Sequence, residues 1–385
     1  MSTIHNHKIF IALGSNQGDR FEHLCYAVDF IEQRLGLIIA VGQVYETPAA
    51  GFVGDDFLNS CLLAHTHKSP RECLQILQQI ERDTGRQPKK GKSYENRVID
   101  LDILLYDDLI IDQADLKIPH PHMLERDFVM KPLQEIAGDA MHPIARVKIK
   151  DFQSHNEQVE ALKNDLRTNS NFSNALSRDR YPLHKVNFIA IEGNIGSGKT
   201  SLTHKISADF NGKPVLERFA DNPFLPLFYE DKERYSFPLE MSFLADRYQQ
   251  LSDDVAQQDL FTDFKIADYY VIKSLIFSKI TLNAQEYSLY QRLFHMMYKE
   301  LIKPDLYVYL YQTEDRLLEN IKERGRDYEQ NIEAAYLSQI QQGYAEFIRS
   351  QKGLNVKVID VSELDFVNNQ EDYLNVLGQI TSALP

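Results

Sequence analysis

Apolar residues recur along this chain with two different periods, and the changes of period divide it into elements. Helical spacing covers Arg20–Leu35 and Pro70–Gly85, while strand-like runs cover Leu37–Glu46, Phe57–His65 and Val98–Tyr106. With the apolar run Ile9–Leu13 ahead of them, the order is β-α-β-β-α-β. That order predicts an antiparallel sheet with helices on one face, the ferredoxin-like α+β plan. A second pattern opens at Val186–Gly193, a continuous apolar run that leads into helical spacing at Lys199–Asp209. Helical patterns at Leu239–Gln250 and Ala284–Leu301 follow, with apolar strands at Phe264–Ala267, Leu306–Tyr311 and Val356–Val361. Strands alternating with helices predict a three-layer α/β/α domain on a parallel sheet, so the chain as a whole reads as α/β.

Between the two patterns, from about Asn156 to Lys185, periodicity fades into Asn and Ser, apart from one short helix suggested by Val159, Leu162 and Leu166. The expected division is residues 1–160, a linker at 161–185, and residues 186–385; a length of 385 residues suits two or three domains. No run of 18 apolar residues occurs and the first residues lack a signal-peptide core. Cys25, Cys61 and Cys73 sit singly among apolar residues, which fits reduced thiols in the cytoplasm. The net charge is −14, distributed as −7 over residues 1–160, +2 over 161–182 and −9 over 183–385. An acidic body argues against nucleic acid as a partner, and any phosphate must be met by local basic clusters.

In the first half, Asp100-Leu101-Asp102 lies on a strand pattern, where residues two apart share a face. Two carboxylates side by side suit Mg²⁺ ions that complete their coordination with phosphate oxygens; the plain alternative is a solvent-facing acidic pair. Arg86, Lys89, Lys90, Lys92 and Arg97 precede the pair, and His120 and Arg126 follow it, as a polyphosphate clamp requires. The run Pro119-His120-Pro121-His122 reads as a stiff turn with exposed histidines rather than a metal pair.

Phe10-Ile11-Ala12-Leu13-Gly14-Ser15-Asn16, Tyr45-Glu46-Thr47-Pro48, Phe57-Leu58-Asn59, Glu81, Gly85-Arg86, Arg97 with Asp100-Leu101-Asp102, and Ile118-Pro119-His120 through Arg126-Asp127-Phe128 form an ordered set. Together they resemble 6-hydroxymethyl-7,8-dihydropterin pyrophosphokinase over residues 8–150. The resemblance implies transfer of the β,γ-pyrophosphoryl group of ATP to the pterin hydroxymethyl, releasing AMP. It implies Mg²⁺ on Asp100 and Asp102, phosphate stabilisation by Arg86, Arg97, His120 and Arg126, and a pterin held by Phe57, Phe128, Asn59, Thr47 and Pro48. Two positions depart from the family pattern: Pro88 where a second arginine is frequent, and Tyr94 where a tryptophan is.

In the second half, Gly193-Asn194-Ile195-Gly196-Ser197-Gly198-Lys199-Thr200 is a P-loop between a buried strand and a helix. Its backbone N–H groups wrap phosphate, Lys199 reaches the terminal phosphates and Thr200 binds Mg²⁺. Glu217, Ala220–Leu225, Phe228-Tyr229, Glu233–Glu240, Arg247, Asp268-Tyr269-Tyr270 and Arg324-Gly325-Arg326-Asp327-Tyr328-Glu329 follow in an order that resembles the deoxynucleoside kinases, bacterial purine-type members above all. The resemblance implies Glu217 as base for the 5′-hydroxyl, Tyr229 and Glu329 at the 3′-hydroxyl, and Glu240 and Arg247 on the base edge. It further implies Arg324 and Arg326 as a lid, Asp268 as Mg²⁺ support, and a homodimer through this domain. Tyr269 stands where many members have an arginine near the 5′-oxygen, and Asn320 where a lid arginine is common.

An ionised Glu240 only accepts hydrogen bonds. It complements the adjacent N1–H and N2–H₂ of guanine better than adenine, which presents an N1 lone pair there, and so predicts deoxyguanosine over deoxyadenosine. The leading expectation is a bifunctional enzyme acting on hydroxymethyldihydropterin, a purine deoxynucleoside and ATP, with no membrane or nucleic-acid partner. The alternatives are one catalytic half beside a binding or oligomerisation module, and a P-loop kinase acting on nucleic-acid ends.

Overall fold

A computed structural model describes residues 6–49, 54–86, 96–153, 159–162, 166, 180–218, 222–255, 261–326, 329, 332–351 and 353–385, with the side chains of Tyr229 and Asp254 left aside. The chain forms two compact units, Met1–Tyr181 and Pro182–Pro385.

The first unit is an antiparallel sheet of strands β1 (His7–Ser15), β2 (Leu37–Val41), β3 (Tyr45–Thr47), β4 (Phe57–Thr66) and β5 (Asp100–Tyr106). A small hairpin, β6 (Ile111–Asp112) with β7 (Lys117–Ile118), stands apart, and β8 (Glu160–Ala161) closes the sheet edge. The order is β5-β1-β4-β3-β8, with β2 also paired to β4. The long predicted strand Leu37–Glu46 is therefore two short ones, which pair with opposite ends of β4. The stretch expected to be a short helix near Val159 instead enters the sheet, with Tyr45 opposite Ala161 and Leu162 N–H donating to Val44.

Strand alternation sorts β1 into two faces. Ile9, Ile11 and Leu13 pack with helices α1 (Arg20–Arg34) and α2 (Pro70–Asp83). Phe10 and Ala12 face the other way and pack with Val129, Met130 and Leu133 of α3 (Asp127–Ala137). Helices thus cover both faces, where one was expected. Leu101 and Ile103 enter the α1/α2 core, which leaves Asp100 and Asp102 on the α3 side.

The second unit is a parallel sheet of β9 (Phe188–Gly193), β10 (Gly212–Val215), β11 (Phe264–Ala267), β12 (Leu306–Tyr311) and β13 (Val356–Asp360), ordered β10-β11-β9-β12-β13. Around it lie α4 (Lys199–Asp209), α5 (Phe224–Glu230), α6 (Lys232–Gln250), α7 (Ile272–Thr281), α8 (Ala284–Tyr298), α9 (Glu314–Arg324), α10 (Ala334–Ser350) and α11 (Gln370–Thr381). Helix α6 starts two turns before its apolar pattern because the Asp231 side chain caps it, accepting from Arg234 N–H. Central β9 has β11 on one side and β12 on the other, so a crevice opens beyond its carboxyl end, where such sheets bind ligands.

Helix α2 begins with a reciprocal cap: Glu72 N–H donates to Ser69 Oγ, and Ser69 N–H donates back to the Glu72 carboxylate at 2.7 Å. Ser69→Ala removes one half of it and should lower the opening free energy of α2 by about 1 kcal/mol. Native-state hydrogen exchange at the Cys73–Leu77 amides should then run about fivefold faster.

Candidate active sites

In the first unit the floor of the candidate site is set by register. Asp100 lies opposite Gly14, and Gly14 opposite Asn59; one step on, Asp102 lies opposite Ala12 and Ala12 opposite Cys61. Gly14 and Ala12 thus separate the two carboxylates from Asn59 with almost no side chain. A Cβ on Gly14 would stand only 3.2 Å from Asn59 Oδ1. Asn59 Nδ2 donates to Thr47 Oγ1 at 2.9 Å, and both residues are buried. Phe57 is half-buried 3.8 Å from the same Gly14 Cβ position. Phe128, also half-buried, packs on the α3-side core with the Arg126 guanidinium 5.8 Å from its ring centre. Pro48 follows β3.

The cations cluster at the carboxylates. Arg86 pairs with Glu81 and lies 2.8 Å from Asp100 Oδ1, while Arg97 pairs with Asp100 Oδ2. Glu81 itself is buried and accepts from Leu101 N–H at 2.9 Å, tying α2 to the strand between the two aspartates. Arg97 is fixed from behind, since its N–H donates to Asn16 Oδ1 at 2.6 Å and its carbonyl accepts from Asn16 N–H. Burial, and then the Asp100 charge, push the Asp102 carboxyl up to about 6. His120 Nε2 stands 4.0 Å from Asp102. Burial and then Arg126 lower that imidazole to about 4, so it is neutral near pH 7. Lys89, Lys90, Lys92, Pro88 and Tyr94 lie outside the described residues.

In the second unit the P-loop leaves β9 at Gly193, where a Cβ would fall 2.5 Å from Ser197 Oγ and 2.7 Å from the Leu310 carbonyl. Gly198 begins α4 at φ +83°, a left-handed conformation natural to glycine. Lys199 Nζ donates to the carbonyls of Gly193 at 3.0 Å and Asn194 at 2.7 Å. Burial, then the nearby Lys273 ammonium, bring it down to about 8. Thr200 Oγ1 donates to Asp268 Oδ2 at 2.5 Å, and Asp268 Oδ1 accepts from Glu217 N–H at 2.8 Å. Asn320 Nδ2 donates to the Gly196 carbonyl at 2.9 Å, which ties α9 to the loop.

One cleft is lined by Lys199, Thr200, Glu217, Phe228, Glu240, Phe243, Arg247, Asp268, Lys273, Arg324, Arg326 and Glu329 among others. At its floor Glu217 Oε1 accepts from Arg247 Nε at 2.9 Å and Nη2 at 2.6 Å, and Oε2 accepts from Lys273 Nζ at 2.7 Å. Burial alone would raise this carboxyl, but Lys273 and then Arg247 outweigh it and hold the group well below the usual carboxylate range. Arg247 Nη1 also donates to Ser274 Oγ at 2.8 Å. Three of its five N–H bonds are thereby engaged among the described residues. At the rim Arg324 and Arg326 both pair with Glu329. The side chain of Tyr229, with residues Asp221, Asp327 and Tyr328, falls outside the described part.

Glu240 is buried, accepts from the Thr281 hydroxyl through Oε1 at 2.9 Å, and has no hydrogen-bond partner at Oε2 among the described residues. Burial pushes it up to about 7. Sequence reasoning missed Lys273 and Thr281, and it took Asn16 only as part of the Phe10–Asn16 motif, with no role of its own. The signal for Lys273 was a lone lysine in the apolar run Val271-Ile272-Lys273-Ser274-Leu275-Ile276.

Residues 10–138 match the family described as 7,8-dihydro-6-hydroxymethylpterin-pyrophosphokinase, and residues 189–385 match the deoxynucleoside kinase family. The chain is 36% identical over 201 residues to the deoxyguanosine kinase of Bacillus subtilis strain 168, covering 51% of this chain and 97% of that one. It is 40% identical over 149 residues to the 2-amino-4-hydroxy-6-hydroxymethyldihydropteridine pyrophosphokinase of Aquifex aeolicus strain VF5, covering 38% of this chain and 91% of that one. It is 32% identical over 213 residues to the deoxyguanosine kinase of Lactobacillus acidophilus, covering 51% and 90%.

A carboxyl whose folded pKa stands above its unfolded value favours folding while protonated, and that stability is lost as pH rises between the two values. For Glu240 the window runs from 4.5 to about 7. Glu240→Gln mimics the protonated form, so it should stabilise the second unit by about 1–3 kcal/mol at pH 8 and change little at pH 4. Thermal unfolding at the two pH values, compared with the parent chain, checks the sign.

Proposed function

The chain belongs through one half to the 7,8-dihydro-6-hydroxymethylpterin-pyrophosphokinases and through the other to the deoxynucleoside kinases, and from that premise we propose how its two active sites work. It is a bifunctional enzyme of folate synthesis and deoxynucleoside phosphorylation. The observation that carries the reading is that each unit has its own carboxylates and cations converging on one spot.

In the first unit, ATP transfers its β,γ-pyrophosphoryl group to the pterin hydroxymethyl and leaves as AMP. Asn59 and Thr47 hydrogen-bond the pterin edge, Phe57 and Phe128 grip its faces, and Pro48 shapes the rim. Arg86, Arg97 and Arg126 neutralise phosphate oxygens, and neutral His120 donates a hydrogen bond to them. Phosphoryl-type transfer needs positioning and charge neutralisation more than a strong base, and this set supplies both.

In the second unit, Glu217 accepts the proton of the 5′-hydroxyl as it attacks the γ-phosphate held by the P-loop and Lys199. Arg324 and Arg326 exchange Glu329 for phosphate when the lid closes, which releases Glu329, with Tyr229, to the 3′-hydroxyl. The buried Oε2 of Glu240, without a hydrogen-bond partner among the described residues, belongs to a cleft with the aromatic side chains Phe228, Phe243 and Phe277, so the base it suits carries donors on that edge. We read the preferred acceptor as deoxyguanosine. The two remaining N–H bonds of Arg247 face the acceptor atoms of the same base.

The donor sets fit Mg²⁺, a hard cation that takes carboxylate and hydroxyl oxygens and leaves positions for phosphate. Asp100 and Asp102, which share one face of β5, would hold it in one unit. Thr200 and Asp268 would hold it in the other. When bound it neutralises phosphate oxygens at the transferred group. A cytoplasmic location accords with three buried free thiols, and among the described residues no helix is long and apolar enough to cross a membrane. Leu289 and Met296, exposed seven residues apart on α8, suit a homodimer formed through the kinase half.

Lys199→Ala should abolish ADP formation with deoxynucleosides and leave AMP formation with hydroxymethyldihydropterin intact. Asp100→Ala with Asp102→Ala should do the reverse; loss of both activities in either variant contradicts separate sites. A screen of the four deoxynucleosides and the pterin, with AMP and ADP quantified separately, reads both. Protonated Glu240 pairs with adenine and ionised Glu240 with guanine. The ratio of kcat/KM for deoxyguanosine over deoxyadenosine should therefore rise as pH increases through about 7. Glu240→Gln should lower that ratio at least about tenfold at pH 8 and remove its pH dependence.

A further inference from the structure

We propose that Lys273 is a positioning residue for the kinase reaction, fixing the Glu217 carboxylate so that the 5′-hydroxyl can dock at only one place, beside the lysine ammonium. The inference rests on the reading of Glu217 as the proton acceptor.

An ionised carboxylate offers about four lone-pair directions, two on each oxygen. Arg247 occupies both on Oε1, through Nε at 2.9 Å and Nη2 at 2.6 Å. Lys273 occupies one on Oε2 at 2.7 Å. By elimination the remaining acceptor direction is on Oε2, and a hydroxyl that uses it becomes the immediate neighbour of the Lys273 ammonium. The carboxylate cannot rotate away, because it is held from two elements, α6 and α7, and its own N–H is anchored on Asp268. Lys273 has two further N–H bonds beyond the one given to Glu217.

Besides Glu217, the Lys273 charge acts on the buried carboxyl of Glu192, which is itself bonded by Tyr270 N–H and the Tyr344 hydroxyl. Lys273 sits in the first turn of α7 among Ile272, Leu275 and Ile276, and is only 9% exposed. A buried ion pair seldom stabilises a fold more than apolar side chains of the same volume would. An ammonium kept at the floor of a cleft, aimed at the proton acceptor, therefore points to the reaction. The residue beside Asp268 offers no substitute: Tyr269 is fully buried and its hydroxyl donates to Gln250 Oε1 at 2.9 Å. Lys273 supplies from one turn of helix further on the positive charge that the Asp268-Tyr269-Tyr270 stretch lacks.

The test compares Lys273→Met, which keeps the stem and drops the charge, with Lys273→Arg in the full chain, using deoxyguanosine and ATP. Lys273→Met should lower kcat about 100-fold while KM for both substrates stays within about threefold, since the loss is felt in the transition state. Lys273→Arg should recover at least about tenfold of that loss. A Met variant with kcat within about threefold of the parent overturns the proposal. So does a fall in kcat matched by an equal rise in KM and not rescued by arginine, which is the signature of a merely structural lysine. If the Met variant shows no cooperative melt, Lys273→Gln is read against the same two criteria. A parent chain that forms no ADP with any deoxynucleoside overturns the kinase reading itself, and this assignment with it.

Discussion

A cation taken out of water needs a counter-charge whether or not substrate is present, and both units are organised around that need. Arg86 and Arg97 are held by Glu81 and Asp100, Arg324 and Arg326 by Glu329, and Arg247 and Lys273 by Glu217. In the proposed mechanism an arriving phosphate takes the place of Glu329 at Arg324 and Arg326, so those two cations keep an anionic partner throughout. The exchange also explains how a chain of net charge −14 handles polyanions. Its acidity is not opposed to the phosphate binding proposed above, because part of it holds the cations of both sites in place.

The two units reach this arrangement by different geometry. In the antiparallel unit, register does the work: Gly14 and Ala12 lie between Asp100 and Asp102 on one strand and Asn59 and Cys61 on the other, leaving an open strip on the sheet face. In the parallel unit the strand order does it. Glu217 after β10, Asp268 after β11 and the P-loop after β9 come from three adjacent strands and meet at their carboxyl ends.

Most of this framework was legible in the sequence because its signals are local. The β9–P-loop–α4 unit, strands Phe264–Ala267 and Leu306–Tyr311, and the alternation that puts Asp100 and Asp102 on one face all follow from spacing alone. What escaped depends on long-range contact. Helix α3 covers the face opposite α1 and α2, and nothing local in Asp127–Ala137 says which face it takes. Glu160–Ala161 is a strand only because β3 offers it an edge. Lys273 stayed hidden because a single lysine in an apolar helix resembles a snorkelling surface residue until Glu217, 56 positions earlier, is seen beside it. Arg247 was expected on the base edge, and its guanidinium is found clamping Glu217.

That last contact has a consequence for specificity. Arg247 pairs directly with Glu217 and is also among the charges that act on Glu240. In the proposed mechanism one carboxylate takes the proton and the other reads the base, so the same guanidinium answers to both. Ionising Glu240 adds a second anion competing for Arg247, which weakens its hold on Glu217. A base that donates two hydrogen bonds to Glu240 absorbs that negative charge and leaves Arg247 to Glu217. A base that leaves Oε2 unpaired does not. In that mechanism, recognition of the nucleobase reaches the reacting hydroxyl through a single side chain, and a poorly matched base is penalised in turnover as well as in binding.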